Sequence, residues 1–136
     1  MAYKFPSNEW LHALEVKLNS DEKYARVAKK WEGDIIFDIE PGGVLTEPMQ
    51  LYIDLWHGKC RGAFVVDDEH QDKIDPAFVL SASYGNFIRV LKSDLDPMQA
   101  MITRKLRVRG SMTYMMRNVP VVLDFVRCAQ EVDTDF

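Results

Sequence analysis

Asp96-Pro97-Met98-Gln99-Ala100-Met101-Ile102, then Leu106-Arg107-Val108-Arg109-Gly110-Ser111-Met112, is the stretch on which the fold turns. Asp96 is an N-cap residue, its carboxylate able to accept from the free N–H groups of a first helical turn. Pro97 sits at the first helical position, where a missing N–H costs nothing. Met98, Met101 and Ile102 then form the buried edge of a short helix. From Leu106 the period changes to two: Leu106, Val108 and Gly110 alternate with Arg107 and Arg109, which predicts a strand with one apolar and one basic face. Ser111 caps a second helical stretch carrying Met112, Met115 and Met116. Asn118-Val119-Pro120 interrupts it, and Val122, Phe125, Val126 and Ala129 resume a helical stripe.

Upstream, Pro6-Ser7 predicts a helix start with Ser7 as cap, Glu9 in the first turn and Trp10, Leu11, Leu14 and Leu18 on one face. Ser20 is expected to cap a second helix. Its apolar stripe is Tyr24, Val27, Ala28 and Trp31, its C-terminal cations are Lys29 and Lys30, and Gly33 is its left-handed stop. Period-two patterning follows: Ile35, Phe37 and Ile39, a Pro41-Gly42-Gly43 turn, then Leu51, Ile53 and Leu55. His57-Gly58-Lys59 is a hairpin turn into a strand around Ala63 to Val66. These make three sequential antiparallel strands. The acidic tract Asp67 to Asp72 is a loop, Ala77 to Ser83 a fourth strand, and Tyr84, Phe87, Ile88 and Leu91 one face of a helix. Helices gathered about five strands define an α+β fold.

The 136 residues, 47% hydrophobic and 28% charged, suit a single domain over 1–136. No apolar run approaches the roughly 18 residues of a membrane span, and Met1 to Pro6 has no signal-peptide core, so a cytoplasmic protein is expected. Cys60 and Cys128 are expected to be free thiols in such a compartment. A net charge of −4 argues against nucleic acid as a partner. Arg104, Lys105, Arg107 and Arg109 make the one dense basic cluster, suited to an anionic headgroup, a coenzyme A phosphate or transient contact with an anionic membrane. The alternative is a solvated strand face paired with nearby acids. Five of the seven methionines lie between Met98 and Met116. Methionine is unbranched and polarizable and re-packs around varied shapes, so this cluster is either gap-filling core or a ligand wall.

The Asp96-Pro97 helix start, the Leu106-x-Val-x-Gly110 strand and the apolar helix after it resemble the sterol carrier protein-2 (SCP-2) sterol-transfer family, as does the strand-to-helix passage through Ser83-Tyr84-Gly85-Asn86. The resemblance extends from roughly Ser7 to Val132. It implies a five-stranded mixed sheet covered by helices, with a hydrophobic tunnel between the sheet and the C-terminal helices. It implies non-catalytic binding or transfer of a fatty-acyl, acyl-coenzyme A or sterol-like ligand, with no cofactor. Transferred by position, the tunnel wall comprises Phe87, Ile88, Leu91, Met98, Met101, Ile102, Met112, Met115, Met116, Val122, Phe125 and Val126. Arg104, Lys105, Arg107 and Arg109 stand at the headgroup or entrance. Arg104 departs from the pattern, since the family usually has Gly before Lys-Leu, and Ser111 replaces the usual Asn or Asp. The fold also serves as an accessory module, so a homodimer or an enzyme partner to which lipid is presented is the alternative function.

Other chemistry has thinner support. Asp38 and Asp54 lie on polar positions of neighbouring strands, where paired carboxylates can split into acid and base. His57-x-x-Cys60 has a zinc-like spacing but lacks two further ligands. His70 among Asp67, Asp68, Glu69 and Asp72 does not follow the ligand rhythm of a calcium loop. No phosphate loop, nucleophile elbow or triad is present.

Overall fold

The computed structural model describes residues 2–136. Strand β1 (Tyr3–Lys4) leads into helices α1 (Asn8–Ser20) and α2 (Glu22–Val27), followed by strands β2 (Ile35–Glu40), β3 (Met49–Trp56) and β4 (Lys59–Val65). After a 3₁₀ turn over Gln71–Lys73 come β5 (Phe78–Ser83), α3 (Tyr84–Leu91), α4 (Pro97–Ile102), β6 (Arg107–Arg109), α5 (Met112–Arg117), α6 (Val119–Glu131) and β7 (Thr134–Asp135). The main sheet runs β4-β3-β2-β5-β6. Its β2–β5 pair is parallel and the other pairs antiparallel, so the sheet is mixed and the fold α+β, as expected. The register sets Ile35, Phe37 and Ile39 beside Phe78, Leu80 and Ala82, which puts the apolar faces of both central strands on one side.

Local chemistry explains most of the boundaries. The Ser7 side chain accepts from the N–H of Trp10, and the four apolar residues expected on the inner face of α1 are all fully buried. The second helix differs from expectation at both ends. Ser20 is the last residue of α1, and the cap of α2 is Asp21, whose carboxylate accepts from the N–H of Tyr24 at 2.8 Å. The helix stops at Val27, leaving Lys29 and Lys30 in the following turn. Gly33 is not left-handed: a Cβ there would lie 2.8 Å from the ring of Phe78, so close packing is what it serves. The His57-Gly58 hairpin forms as the sequence predicts, with both residues at positive φ. β4 begins at once, at Lys59, four residues earlier than the alternation implies, because a register shift at Asp54/Leu55 breaks its pattern.

A short parallel pairing of β1 with β7, which sequence patterning over two residues cannot reveal, ties Tyr3 to Thr134 and Lys4 to Asp135. It leaves Phe5, after which the peptide bond to Pro6 is cis, in the core against Trp10 with ring centroids 4.8 Å apart. Trp31 packs against both Phe78 and Tyr114, whose rings stack on each other, and donates its indole N–H to the carbonyl of Gly33 at 2.9 Å.

The passage from α4 to β6 turns sharply at Arg104, which has φ +62. The turn returns the N–H of Leu106 to the carbonyl of Ala100 at 3.0 Å and buries the Leu106 side chain. A left-handed conformation costs a non-glycine residue about 1–2 kcal/mol, and glycine's extra freedom in the unfolded chain offsets about half of that. Arg104→Gly is therefore expected to stabilise the fold by about 0.5–1 kcal/mol. Urea denaturation measures it, and a lower midpoint for the variant contradicts the assignment of strain to this turn.

Candidate functional site

Between the sheet and the C-terminal helices lies a cavity whose lining is wholly apolar. Ile35 and Phe37 of β2, Leu55 of β3, Leu80 of β5 and Leu106 form its floor. Phe87, Val90 and Leu91 of α3, Pro97 and Met101 of α4 and Met115 of α5 make one side. Val121, Val122, Phe125, Val126 and Ala129 of α6 make the other; Trp31, against Phe78 at the start of β5, and Phe5, against Tyr84 just past its last residue, stand at opposite ends. The space is narrow. The atom-free void is about 720 Å³ including its open mouth, but the centre of a water-sized sphere reaches only about 60 Å³ of it. That is a slot several waters long by volume, yet without the polar partners that ordered water needs. Fourteen of the eighteen lining residues are buried, and the four that are half-exposed are Val90, Leu91, Val122 and Val126. The mouth therefore opens between the end of α3 and α6. Gln130 joins the two lips, donating from Nε2 to the carbonyl of Val90 at 2.9 Å.

Of the twelve wall positions expected from sequence, Phe87, Leu91, Met101, Met115, Val122, Phe125 and Val126 line this cavity. Ile88 and Met98 are half-buried and pack against the surrounding core. Ile102, Met112 and Met116 point outward, with 71%, 40% and 43% of their surface exposed. Ile102 thus differs from its expected place on the buried edge of α4. Pro97, Ala100 and Met101 hold that edge at i, i+3 and i+4, and Ile102 falls on the next, outer position. Sequence reading missed the floor and both ends. Alternation marks Ile35, Phe37, Leu55 and Leu80 as facing the core, but nothing in it separates a cavity floor from solid packing.

The basic cluster is spread over the turn and β6. Arg107 donates to the Glu40 carboxylate at 2.6 Å across the exposed face of the sheet, while Arg104, Lys105 and Arg109 have no anionic partner among the described residues. The pairing expected for a solvated strand face thus accounts for one cation of four.

On the far side of α6 a charge network fixes that helix to the N-terminal pair. Arg127 bonds Asp124 at 2.8 Å, Asp21 at 2.7 Å and Glu131 at 2.7 Å, and Lys17 bridges Asp21 at 3.1 Å and Glu131 at 2.9 Å. The Arg127 guanidinium, with the N–H of Tyr24, holds the Asp21 carboxyl well below the usual carboxylate range. Asp124 is the one buried charged residue among those described.

The remaining candidates separate. Asp38 accepts from the Ser81 hydroxyl at 3.1 Å and lies opposite Gln50, four residues along β3 from Asp54, which is held bidentately by Arg61. These carboxylates do not form a pair. His57 contacts Glu32 at 2.6 Å on the surface, while Cys60 is buried beneath the hairpin and its thiol is pushed up to about 12 by burial. Cys128 is likewise a buried free thiol, raised to about 11 by burial. Both are poor nucleophiles and metal ligands at neutral pH. His70 bonds Asp67 at 2.6 Å in the exposed loop.

The sequence matches the SCP-2 sterol transfer family over residues 11–122. The chain belongs to that family. A crystal structure of sterol carrier protein 2 superposes with a TM-score of 0.83 at 29% identity, covering 93% of this chain and 97% of that one. A solution structure from Thermus thermophilus, described as possibly a sterol carrier protein, gives 0.81 at 28% identity, over 93% of this chain and 88% of the other. At 17% identity and a TM-score of 0.51, a sterol carrier protein-2 from Aedes aegypti in complex with the C16 fatty acid palmitate shares the fold, over 85% of this chain and 93% of its own. No curated protein sequence matches. No helix among the described residues is long and apolar enough to cross a membrane.

Proposed function

We propose that this chain is a non-catalytic lipid carrier that holds a single-chain lipid, a fatty acid or fatty-acyl conjugate, in the cavity between the sheet and α3 to α6. The observation that carries the reading is the lining: eighteen residues without one titratable side chain, whose single polar side-chain group, the Trp31 indole N–H, is already bonded to the carbonyl of Gly33. Such a site offers burial and no acid, base or nucleophile. Burial contributes about 0.8 kcal/mol per methylene, so a chain of palmitate length gains up to about 12 kcal/mol before the costs of ordering it. Family membership and the palmitate complex of the Aedes aegypti protein support the same class of ligand. The shape favours a flexible acyl chain over a rigid sterol. A 60 Å³ slot must widen in either case, and Met101 and Met115 are the lining side chains that can move without strain at a branched carbon. In this reading Phe87, Leu91, Met101, Met115, Val122, Phe125 and Val126 touch the chain, with Ile88 and Met98 supporting them.

Leu91→Trp tests it. Leu91 stands at the half-exposed mouth, so a larger ring there is accommodated toward solvent while filling the entry. Binding of a fluorescent fatty acid at micromolar concentration is expected for the natural chain and at least about tenfold weaker for the variant, the effect of losing about 1.4 kcal/mol. Unchanged circular dichroism keeps folding out of the comparison. Failure of the natural chain to bind, with no lipid released on denaturing extraction, overturns the carrier reading.

A further inference from the structure

The four half-exposed lining residues lie in two rows: Val90 and Leu91 end α3, while Val122 and Val126 run along α6 one turn apart, with Gln130 the next in the same row. Gln130 is thus the polar end of an apolar lip, and its Nε2 donates across the gap to the carbonyl of Val90. The fold does not depend on that bond. The Val90 carbonyl also accepts from the N–H of Ser93 at 3.1 Å, so the amide can swing away without leaving a bare acceptor. Lys92 follows Leu91 on the opposite lip, exposed, with its ammonium 5.0 Å from the centre of the Phe136 ring. Arg89, three residues earlier and also exposed, shares that side of α3. Neither cation has an anionic partner among the described residues.

The basic cluster of the turn and β6 stands away from this opening. Val108 pairs with Leu80, whose side chain lines the cavity, so Arg107 and Arg109 on either side of it lie on the sheet face opposite the helices. The turn of Arg104 and Lys105 lies toward the start of α3, where Asn86 donates to the Lys105 carbonyl at 3.3 Å. A helix C-terminus ordinarily disfavours an anion through its free carbonyls. At the end of α3 those of Ile88, Arg89 and Val90 are occupied: Ile88 accepts from the N–H of Lys92, Val90 from that of Ser93, and Arg89 from those of Asp94 and Leu95.

We propose that this lip is a carboxylate subsite: the cavity takes a free fatty acid tail first, Gln130 turns its Nε2 from the Val90 carbonyl to the oxygens of the acid, and Lys92 supplies the opposing charge. Behind the lip no donor is free, since the one polar group of the lining, the Trp31 N–H, is bonded to Gly33. A head group that needs hydrogen bonds therefore stays at the mouth. A hydrogen bond to an ionised acceptor is about twice as strong as one to a neutral acceptor, so the exchange favours the acid over the carbonyl. An ester, a thioester or a sterol hydroxyl is neutral and gains neither that increment nor the pairing with Lys92. The same movement unfastens α3 from α6 at the edge of the slot, so capture of the head group and widening of the mouth are one step. The inference rests on the carrier reading, which it narrows from acyl lipids in general to free acids.

Calorimetric titration of the full chain with laurate and with 1-dodecanol, chains of equal length with and without the charge, tests this. The ratio of the two affinities is the readout, because changes in the apolar slot or in its ease of opening cancel from it. Gln130→Leu is expected to lower the preference for laurate about tenfold, the effect of one hydrogen bond to a charged group, and Lys92→Met about threefold, as for an exposed ion pair. Dodecanol is expected to bind the Gln130→Leu variant at least as well as the natural chain, since the bond across the mouth is gone. In NMR spectra of the natural chain the side-chain amide protons of Gln130 are expected to shift further with laurate than with dodecanol. Unchanged circular dichroism separates these effects from misfolding. A ratio that neither substitution alters overturns the subsite and leaves the carrier reading standing. So does a ratio that falls instead on Arg104→Gln with Lys105→Gln, which moves the head group to the turn before β6. Failure of the natural chain to bind either ligand overturns the carrier reading itself, and the subsite with it.

Discussion

Gly110→Ala is expected to lower stability by about 3–4 kcal/mol, enough to leave a domain of this size marginal. Gly110 follows β6 with φ +127, a conformation that side chains rarely adopt. Space is the larger obstacle. A Cβ would lie 2.5 Å from the carbonyl oxygen of Ala77 and 2.7 Å from the ring of Phe78, so backbone as well as side chain must give way. Phe78 in turn packs on Trp31 and Tyr114, at the Trp31 end of the cavity. The variant is thus expected to lose lipid binding along with stability. Thermal unfolding followed by circular dichroism measures the loss of stability, and a shift of less than about 1 kcal/mol would show that β6 can slide on β5 at little cost.

Arg127→Met is expected to cost about 2–3 kcal/mol. Breaking a buried ion pair by removing one partner costs about 3–5 kcal/mol, because the other charge stays behind. Here Arg127 is partly exposed, and Lys17 and Lys23 remain beside Asp21 and Asp124, which softens the loss. Acid sensitivity provides a second readout. The folded Asp21 carboxyl titrates below its unfolded value of about 3.9, so its contribution is fully present above that pH and is lost as pH falls through the folded value. Removing the guanidinium brings the folded value back toward the unfolded one. Stability of the variant should therefore change less between pH 5 and pH 2 than that of the natural chain. An unaltered acid limb in the variant would detach Asp21 from Arg127.

The sequence was most informative wherever one periodicity decided one face. The inner stripe of α1, the alternation of β2 and β3 and the Asp96-Pro97 start of α4 all formed where patterning placed them, because each depends on neighbours within a turn or two. The cap of α2 moved from Ser20 to Asp21 because both residues are good caps and only the end of α1 decides between them. The cavity was half legible. Helical residues of the wall came from a resemblance whose motifs lie between Ser83 and Met112, whereas Ile35, Leu55, Leu80, Phe5 and Trp31 reach it through pairings tens of residues apart. A residue facing a void and one facing its neighbour are equally apolar, so composition cannot tell them apart. Nor could spacing show that Ile102 and Met116 lie outside the wall whose inner surface their neighbours form.

The charge network on α6 governs how the protein breathes. α6 is thirteen residues long and bolted by Arg127 and Lys17 to the helices beneath it, whereas α4 and α5 are six residues each and carry no ion pair among the described residues. Local opening draws on the weakest cooperative unit first. Amide protons of α4 and α5 should thus exchange with solvent long before those of α6, which should wait for global unfolding. The two sides of one cavity differ in opening free energy, with a fixed jamb on one side and a hinged leaf on the other.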